Sequence, residues 1–351
     1  MSFEFRARLK ILHYSVTFET DWFPAYSYLK NLTSFFHFKD YEFIESQIES
    51  NDPIVQYVND SKYDCAYLKD LNTLLVHAPW DDFAGTSTSG FTLRSVLLVP
   101  IWHMTEFQRQ ELGEYFFHAS AIVRDGIGLV LTGPAESGKT IAALDLCLNH
   151  GFSLYANDEV LIGFCKGLPH LRIGDPVFRL RLSSLRKYDP RLAGDIFGLS
   201  ADGNQAWNTK RDVSPAELGI REVHGTIPVG RFVFLKIDDE ATNIYCSSID
   251  GSNHDELFHK QIQFHTELSG AIRGGAYAPI DRRIRSVPFF VPNLDQPEFL
   301  RQRITFIESL FQQCGVIIMR GGLKAVTARL DQNLDLPNRQ AFEIKPDQCA
   351  R

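Results

Sequence analysis

Apolar residues run almost unbroken through Ile127-Gly128-Leu129-Val130-Leu131-Thr132, the pattern of a strand covered on both faces. From Ile141 to Leu148 the chain is apolar nearly all round and then stops at Asn149-His150-Gly151, which predicts a buried helix with glycine at its C′ position. Upstream, Val96-Leu97-Leu98-Val99 predicts a strand and Ile101 to Leu112 a helix. Tyr115 to Val123 predicts a second strand, joined to Ile127–Thr132 by the hairpin dipeptide Asp125-Gly126. Downstream, Phe152 to Ala156, Val160 to Phe164, Arg231 to Ile237 and Val316 to Met319 predict further strands, and Phe258 to Leu268, Pro297 to Gln313 and Leu323 to Leu330 predict helices. Residues 175–189 read as loop-rich, and Ser214-Pro215 reads as the N-cap and N1 of another helix.

The first part of the chain is plainer. Residues 5–18 alternate, residues 23–36 are aromatic-rich with helical spacing near Tyr28, and Ala66-Tyr67-Leu68 and Leu74 to His77 predict short strands. Ala84-Gly85-Thr86-Ser87-Thr88-Ser89-Gly90 is the best candidate boundary. The expectation is an α/β protein: an N-terminal α/β region over 1–93, a core domain over 94–331 and a polar tail over 332–351. No chemical motif falls in the first region, where His13, His37 and His77 stand alone.

Composition sharpens this picture in one direction. Of 351 residues, 44% are hydrophobic and 23% charged, which supports a proper core, and no apolar run reaches membrane-span length. The formal charge of −7 argues against nucleic acid as the main partner. Six scattered cysteines, without a C-x-x-C pair or signal-peptide pattern, read as reduced thiols in a cytoplasmic protein. A homo-oligomer is compatible with all of this.

The chemistry lies between the predicted strand and helix. Gly133-Pro134-Ala135-Glu136-Ser137-Gly138-Lys139-Thr140 satisfies G-x-x-x-x-G-K-[ST], the phosphate-binding P-loop pattern. Four fixed positions recur by chance in roughly one chain per hundred of this length, so the flanks decide, and strand, glycine loop and helix stand in the required order. In such a loop the glycines let backbone N–H groups approach phosphate oxygens, Lys139 reaches the β- and γ-phosphates of ATP or GTP, and the Thr140 hydroxyl takes the Mg²⁺. The next strand ends in Asn157-Asp158-Glu159, acids at the sheet edge where ligands bind in open α/β folds.

These pieces together resemble the kinase domain of the HPr kinase/phosphorylase superfamily over roughly residues 95–331. His118-Ala119-Ser120-Ala121-Ile122-Val123 stands where that family carries its histidine strand, and Gly151 to Asp158 where a Gly-aromatic strand ends in paired aspartates. Glu222-Val223-His224-Gly225 stands for a second signature, Glu-aliphatic-Arg-Gly. Three departures are plain: Asn157 replaces the first aspartate, Lys139 to Asp158 is one residue longer, and His224 replaces the arginine and lies further along the chain. The resemblance is therefore to the broader group acting on small-metabolite or peptide-serine hydroxyls, and HPr itself is not carried over as substrate.

The resemblance implies an HPr-kinase-like P-loop domain, a mixed sheet flanked by helices, transferring the γ-phosphate of ATP with Mg²⁺ to a hydroxyl acceptor. Asp158 is the expected base or water-mediated metal contact, Glu159 the second choice for the base, and His118 faces the γ-phosphate or acceptor. Glu222 is a candidate metal-facing carboxylate beside Thr140 and Asp158. Asp238, following a strand as in ordinary P-loop NTPases, competes for the metal, and Asn157 can hydrogen-bond acceptor or phosphate. Arg273, Arg282, Arg283 and Arg285, with Lys210 and Arg211, are candidate phosphate or acceptor clamps. The alternative is an NTP-hydrolysing switch or a nucleotide-binding module with weak catalysis.

Overall fold

The computed structural model describes residues 3–33, 40–45, 51–62, 64–78, 80, 92–134, 136–174, 176–198, 209–241, 243–248 and 297–332. The expected helix at 258–268, the arginines from Arg273 to Arg285, the tail beyond 332, the loop at 84–90, His37 and Ala135 lie outside them. In chain order the elements are β1 Phe5–Ile11, β2 Tyr14–Thr20, α1 Phe23–Lys30, β3 Tyr41–Ile44, β4 Ile54–Asn59, β5 Asp64–Leu68, β6 Thr73–Ala78, α2 Thr92–Glu111, β7 Glu114–Phe117, β8 Ala119–Arg124, β9 Ile127–Thr132, α3 Lys139–Asn149 and β10 Ser153–Ala156. Then come β11 Val160–Cys165, β12 Leu168–Gly174, β13 Phe178–Arg181, α4 Leu182–Tyr188, α5 Pro190–Phe197, β14 Lys210–Val213, β15 Ile227–Ile237, β16 Tyr245–Ser248, α6 Pro297–Gln313, β17 Gly315–Gly321 and α7 Leu323–Gln332.

Two compact units result, one of 1–113 with 263–304, the other of 114–262 with 305–351. The first carries a six-stranded mixed sheet, β3-β1-β2-β4-β6-β5. Its core gathers Leu9, Ile11, Val16, Phe18, Val55, Tyr57, Leu74 and Val76 from alternate strand positions under Leu97, Leu98, Ile101 and Met104 of α2. The strand expected over 96–99 is thus part of a helix. A four-residue apolar run suits a buried strand or a helix face equally, and the spacing 97, 98, 101, 104 belongs to a helix. Helix α2 also places this stretch in the first unit rather than in the core domain that was expected to open at 94.

The second unit is a mixed sheet flanked by helices, with strand order β10-β8-β9-β15-β12-β11-β7 and β17 beside β15, β16 outside it. Leu129, Leu131, Val233 and Leu235 point to the side covered by α3 and α7. Val130, Phe232 and Phe234 point to the other, against Phe306, Ile307 and Leu310 of α6. This two-sided burial is what the continuous apolar runs predicted. Asp125 (φ 53°) and Gly126 (φ 76°) close the β8–β9 hairpin with two left-handed residues, as the dipeptide promised.

Three local expectations change. The single strand over 115–123 breaks at His118, because β7 pairs with β11 while β8 pairs with β9 and β10. The loop-rich stretch after 175 contains β13, α4 and α5, with Asp189 capping Arg191 and Leu192 amides. Ser214 and Glu217 do form a reciprocal cap, Glu217 N–H to Ser214 Oγ and Ser214 N–H to Glu217 Oε1, yet only the 3₁₀ turn Ala216–Leu218 follows. Cys65, Cys147, Cys246 and Cys314 are free thiols and Cys165 is disulfide-bonded, which corrects the reading of six reduced cysteines. No described helix is long and apolar enough to cross a membrane.

A candidate phosphate-binding and transfer site in the second unit

Strand direction assembles the site. β9 runs parallel to β15, which runs parallel to β17, and β10 shares their direction because both it and β9 are antiparallel to β8. The segments leaving β9, β10, β15 and β17 therefore emerge at one edge, and β8 begins there. A cavity of about 1000 Å³ opens at that edge. It is lined by Glu136, Gly138, Lys139 and Thr140 after β9, Asn157 and Asp158 after β10, Ile237 and Asp239 at the end of β15, and Gly322 to Ala325 after β17, with His118 and Ser120 from the start of β8.

The loop Gly133–Gly138 is held tightly against β15. Gly133 (φ 148°), Glu136 (φ 67°) and Gly138 (φ 90°) take left-handed backbone, and the Ile237 N–H donates to Ser137 O at 2.8 Å. A Cβ on Gly138 would stand 2.4 Å from Ile237 Cγ1, and one on Gly133 would stand 2.6 Å from Leu235 O, so neither glycine is replaceable without moving the loop. Helix α3 starts at Gly138 with no side-chain cap, which leaves its first N–H groups directed at the cavity end. The Ser137 hydroxyl is buried and has no hydrogen-bond partner among the described residues. Lys139 is buried, its Nζ donating to Gly133 O and Pro134 O at 3.0 Å each. Burial lowers its pKa to about 8, partly offset by the nearby Asp158 carboxylate.

Asp158 follows β10 in a left-handed conformation (φ 81°), a strained position for a residue with a side chain. His118 Nδ1 lies 3.0 Å from Asp158 O and 3.1 Å from Asp158 Oδ1, and Arg179 Nη1 lies 3.2 Å from Asp158 Oδ2. Asn157 is buried; its Oδ1 accepts from Ser120 Oγ at 2.8 Å, which makes it a brace that fixes the strand tip, though it also lines the cavity.

Other sequence candidates are placed elsewhere. Glu222 bridges alongside Leu154, before the tip of β10, pairs with His224 at 3.4 Å and is absent from the cavity lining. Asp238 is held by Arg320 at 2.6 Å, which lowers its pKa, and it too is absent from the lining. Arg211 pairs with Glu217, while Lys210 does line the cavity. Among the described residues no group of three or more His, Cys, Asp and Glu is arranged to hold a metal.

Arg179, Arg181, Lys187 and Lys324 also line the cavity, and no sequence motif marks them. Arg179 and Arg181 alternate with buried Phe178 and Leu180 on β13, so the period-2 pattern inside the stretch read as loop was their only signal. Arg181 pairs with Glu136 of the loop at 3.0 Å.

No family model matches this chain, and no curated protein matches it. Among solved structures, the Hpr(Ser) kinase/phosphatase from Coxiella burnetii aligns at 16% sequence identity over 43% of this chain and 95% of that chain, with a TM-score of 0.24. At that score the likeness is distant, and the function rests on the cavity.

Proposed function

We propose that the second unit is a phosphotransferase that moves the γ-phosphoryl group of ATP, or of GTP, onto the hydroxyl of a small metabolite or a peptide serine. The observation that carries this reading is a carboxylate, Asp158, at the strand tip of the same cavity that Lys139 and the uncapped end of α3 line. The residues suit a Mg-nucleotide: two glycines let the loop fold closely against β15, α3 begins with no side-chain cap, and the Ser137 hydroxyl has no partner among the described residues. Lys139 and the α3 amides would hold the β- and γ-phosphates. Thr140 would supply a protein oxygen to Mg²⁺, with Asp158 in contact through a water and the phosphates and further water providing the rest.

Bound there, the nucleotide supplies the phosphoryl group and the metal screens its charge. Asp158 takes the acceptor's hydroxyl proton as that oxygen bonds to the γ-phosphorus and the bond to the ADP oxygen breaks. His118 keeps the carboxylate aimed, since one ring nitrogen reaches both its backbone and its side-chain oxygen. Arg181 adds positive charge over the loop. The hydrolytic-switch reading is the weaker one, because the acid after β15 is tied to Arg320.

The test is turnover by the purified chain with Mg²⁺ and ATP or GTP, with and without a panel of alcohols. Acceptor-stimulated ADP release is expected. Lys139→Ala should abolish turnover, and Asp158→Asn should still bind nucleotide while losing transfer by about 10²–10⁴-fold. Undiminished transfer by Asp158→Asn would sink the assignment, and turnover indifferent to acceptor would favour hydrolysis.

A further inference from the structure

The lining of the cavity is rich in cationic side chains. Lys139, Arg179, Arg181, Lys187, Lys210 and Lys324 face Glu136, Asp158 and Asp239 in its lining. Arg181 pairs with Glu136, Arg179 with Asp158 and Lys187 with Asp239. Lys210 and Lys324 have no carboxylate partner among the described residues. A triphosphate with its magnesium brings roughly two net negative charges, against a surplus of three within the lining that Asp212, the second partner of Arg179, reduces to two. The cavity volume of about 1000 Å³ stands at the top of the range for a single small ligand, which leaves room for a second.

Strand register places that second ligand. Arg179 and Arg181 stand two residues apart on the same face of β13, about 7 Å from each other at the usual strand rise. Arg181 sits over the loop through Glu136, and Arg179 over the expected base, Asp158. On β14, Asp212 lies opposite Arg179 and holds its Nε at 3.0 Å, while Lys210 lies opposite Arg181. One strand thus lays one arginine at the donor phosphates and one at the place where the acceptor's hydroxyl must lie. That guanidinium favours the charged form of the base, and it stands where an anionic group on the acceptor would meet it.

We infer that Arg179 marks an oxyanion subsite beside Asp158, and that the acceptor is a small alcohol bearing a phosphate or carboxylate in addition to the hydroxyl that reacts. This rests on the phosphotransfer reading of the same cavity. The acceptor's oxyanion stays bound and unaltered while its hydroxyl takes the phosphoryl group.

The experiment uses the full chain saturated with Mg²⁺ and a non-hydrolysable ATP or GTP analogue, titrated calorimetrically with inorganic phosphate and separately with acetate. At least one anion is expected to bind the saturated protein, phosphate if the acceptor carries phosphate and acetate if it carries carboxylate. Arg179→Gln should weaken that binding about tenfold or more, and Arg179→Lys should recover part of it. Arg181→Gln should instead weaken the analogue and spare the second anion. A thermal melt checks that each variant is folded. If neither anion binds the saturated protein, or if Arg179→Gln binds it as the wild type does, the subsite is overturned while nucleotide binding stands. If the analogue itself fails to bind, the phosphotransfer reading falls and the subsite falls with it.

Discussion

Lys139 shows how one buried charge ties structure to function. Burial lowers its pKa to about 8 in the free protein, and a bound phosphate anion would raise it again toward the ordinary lysine value. Nucleotide affinity should therefore be flat, as far as this group is concerned, below about pH 8. Above that it should weaken by up to about tenfold per pH unit, with proton uptake on binding. Calorimetry at pH 8.5 in buffers of different ionisation enthalpy reads that uptake directly. Stability moves the other way: the unfolded chain holds this proton up to higher pH than the folded one, so the lysine adds stability as pH rises through 8. Lys139→Met should remove both trends, and a surviving proton uptake would assign it to another group. The residue's place in the loop was legible from spacing alone, but its perturbed charge was not, because burial depends on β15 and the rest of the cavity wall.

At the level of elements, β13 is the part of the site that escaped the sequence. Four residues alternating Phe178, Arg179, Leu180 and Arg181 give too short a signal to separate from loop, and only the pairing with β14 makes them a strand. Its inner face anchors its outer one. Leu180 is fully buried, so Leu180→Ala should cost about 2–5 kcal/mol by urea denaturation. It should also loosen the register that places Arg179 and Arg181. Longer elements carry a signal of their own: β9, α3, β15, α6, β17 and α7 all lie where periodicity and glycine put them. Helix α2 shows the opposite case, since residues 96–99 are apolar in a way both helix and strand can bury, and only packing in the first unit decided between them.

Across the whole molecule the two units differ in kind. The second unit carries the cationic cavity in a chain whose formal charge is −7, so the positive potential is local and built, not a property of composition. With Mg-nucleotide added, hydrogen exchange should slow in 136–142, around 157–158 and in 323–326, and stay unchanged in β1 to β6 of the first unit. Slowing confined to the first unit would place the ligand elsewhere. The sequence by itself determined the strand–loop–helix at 127–149 and the acid after the next strand. Those signals are local: periodicity, glycine and lysine spacing act over a few residues, where backbone geometry leaves few choices. Tertiary structure alone decided which distant charges share the cavity. Strand order and register brought Arg179, Arg181 and the start of α7 to the edge where β9 ends, and let Arg320 and His224 occupy the carboxylates of Asp238 and Glu222. Pairing between strands far apart in the chain is chosen by how a whole sheet buries its two faces, and no short stretch of sequence contains that choice.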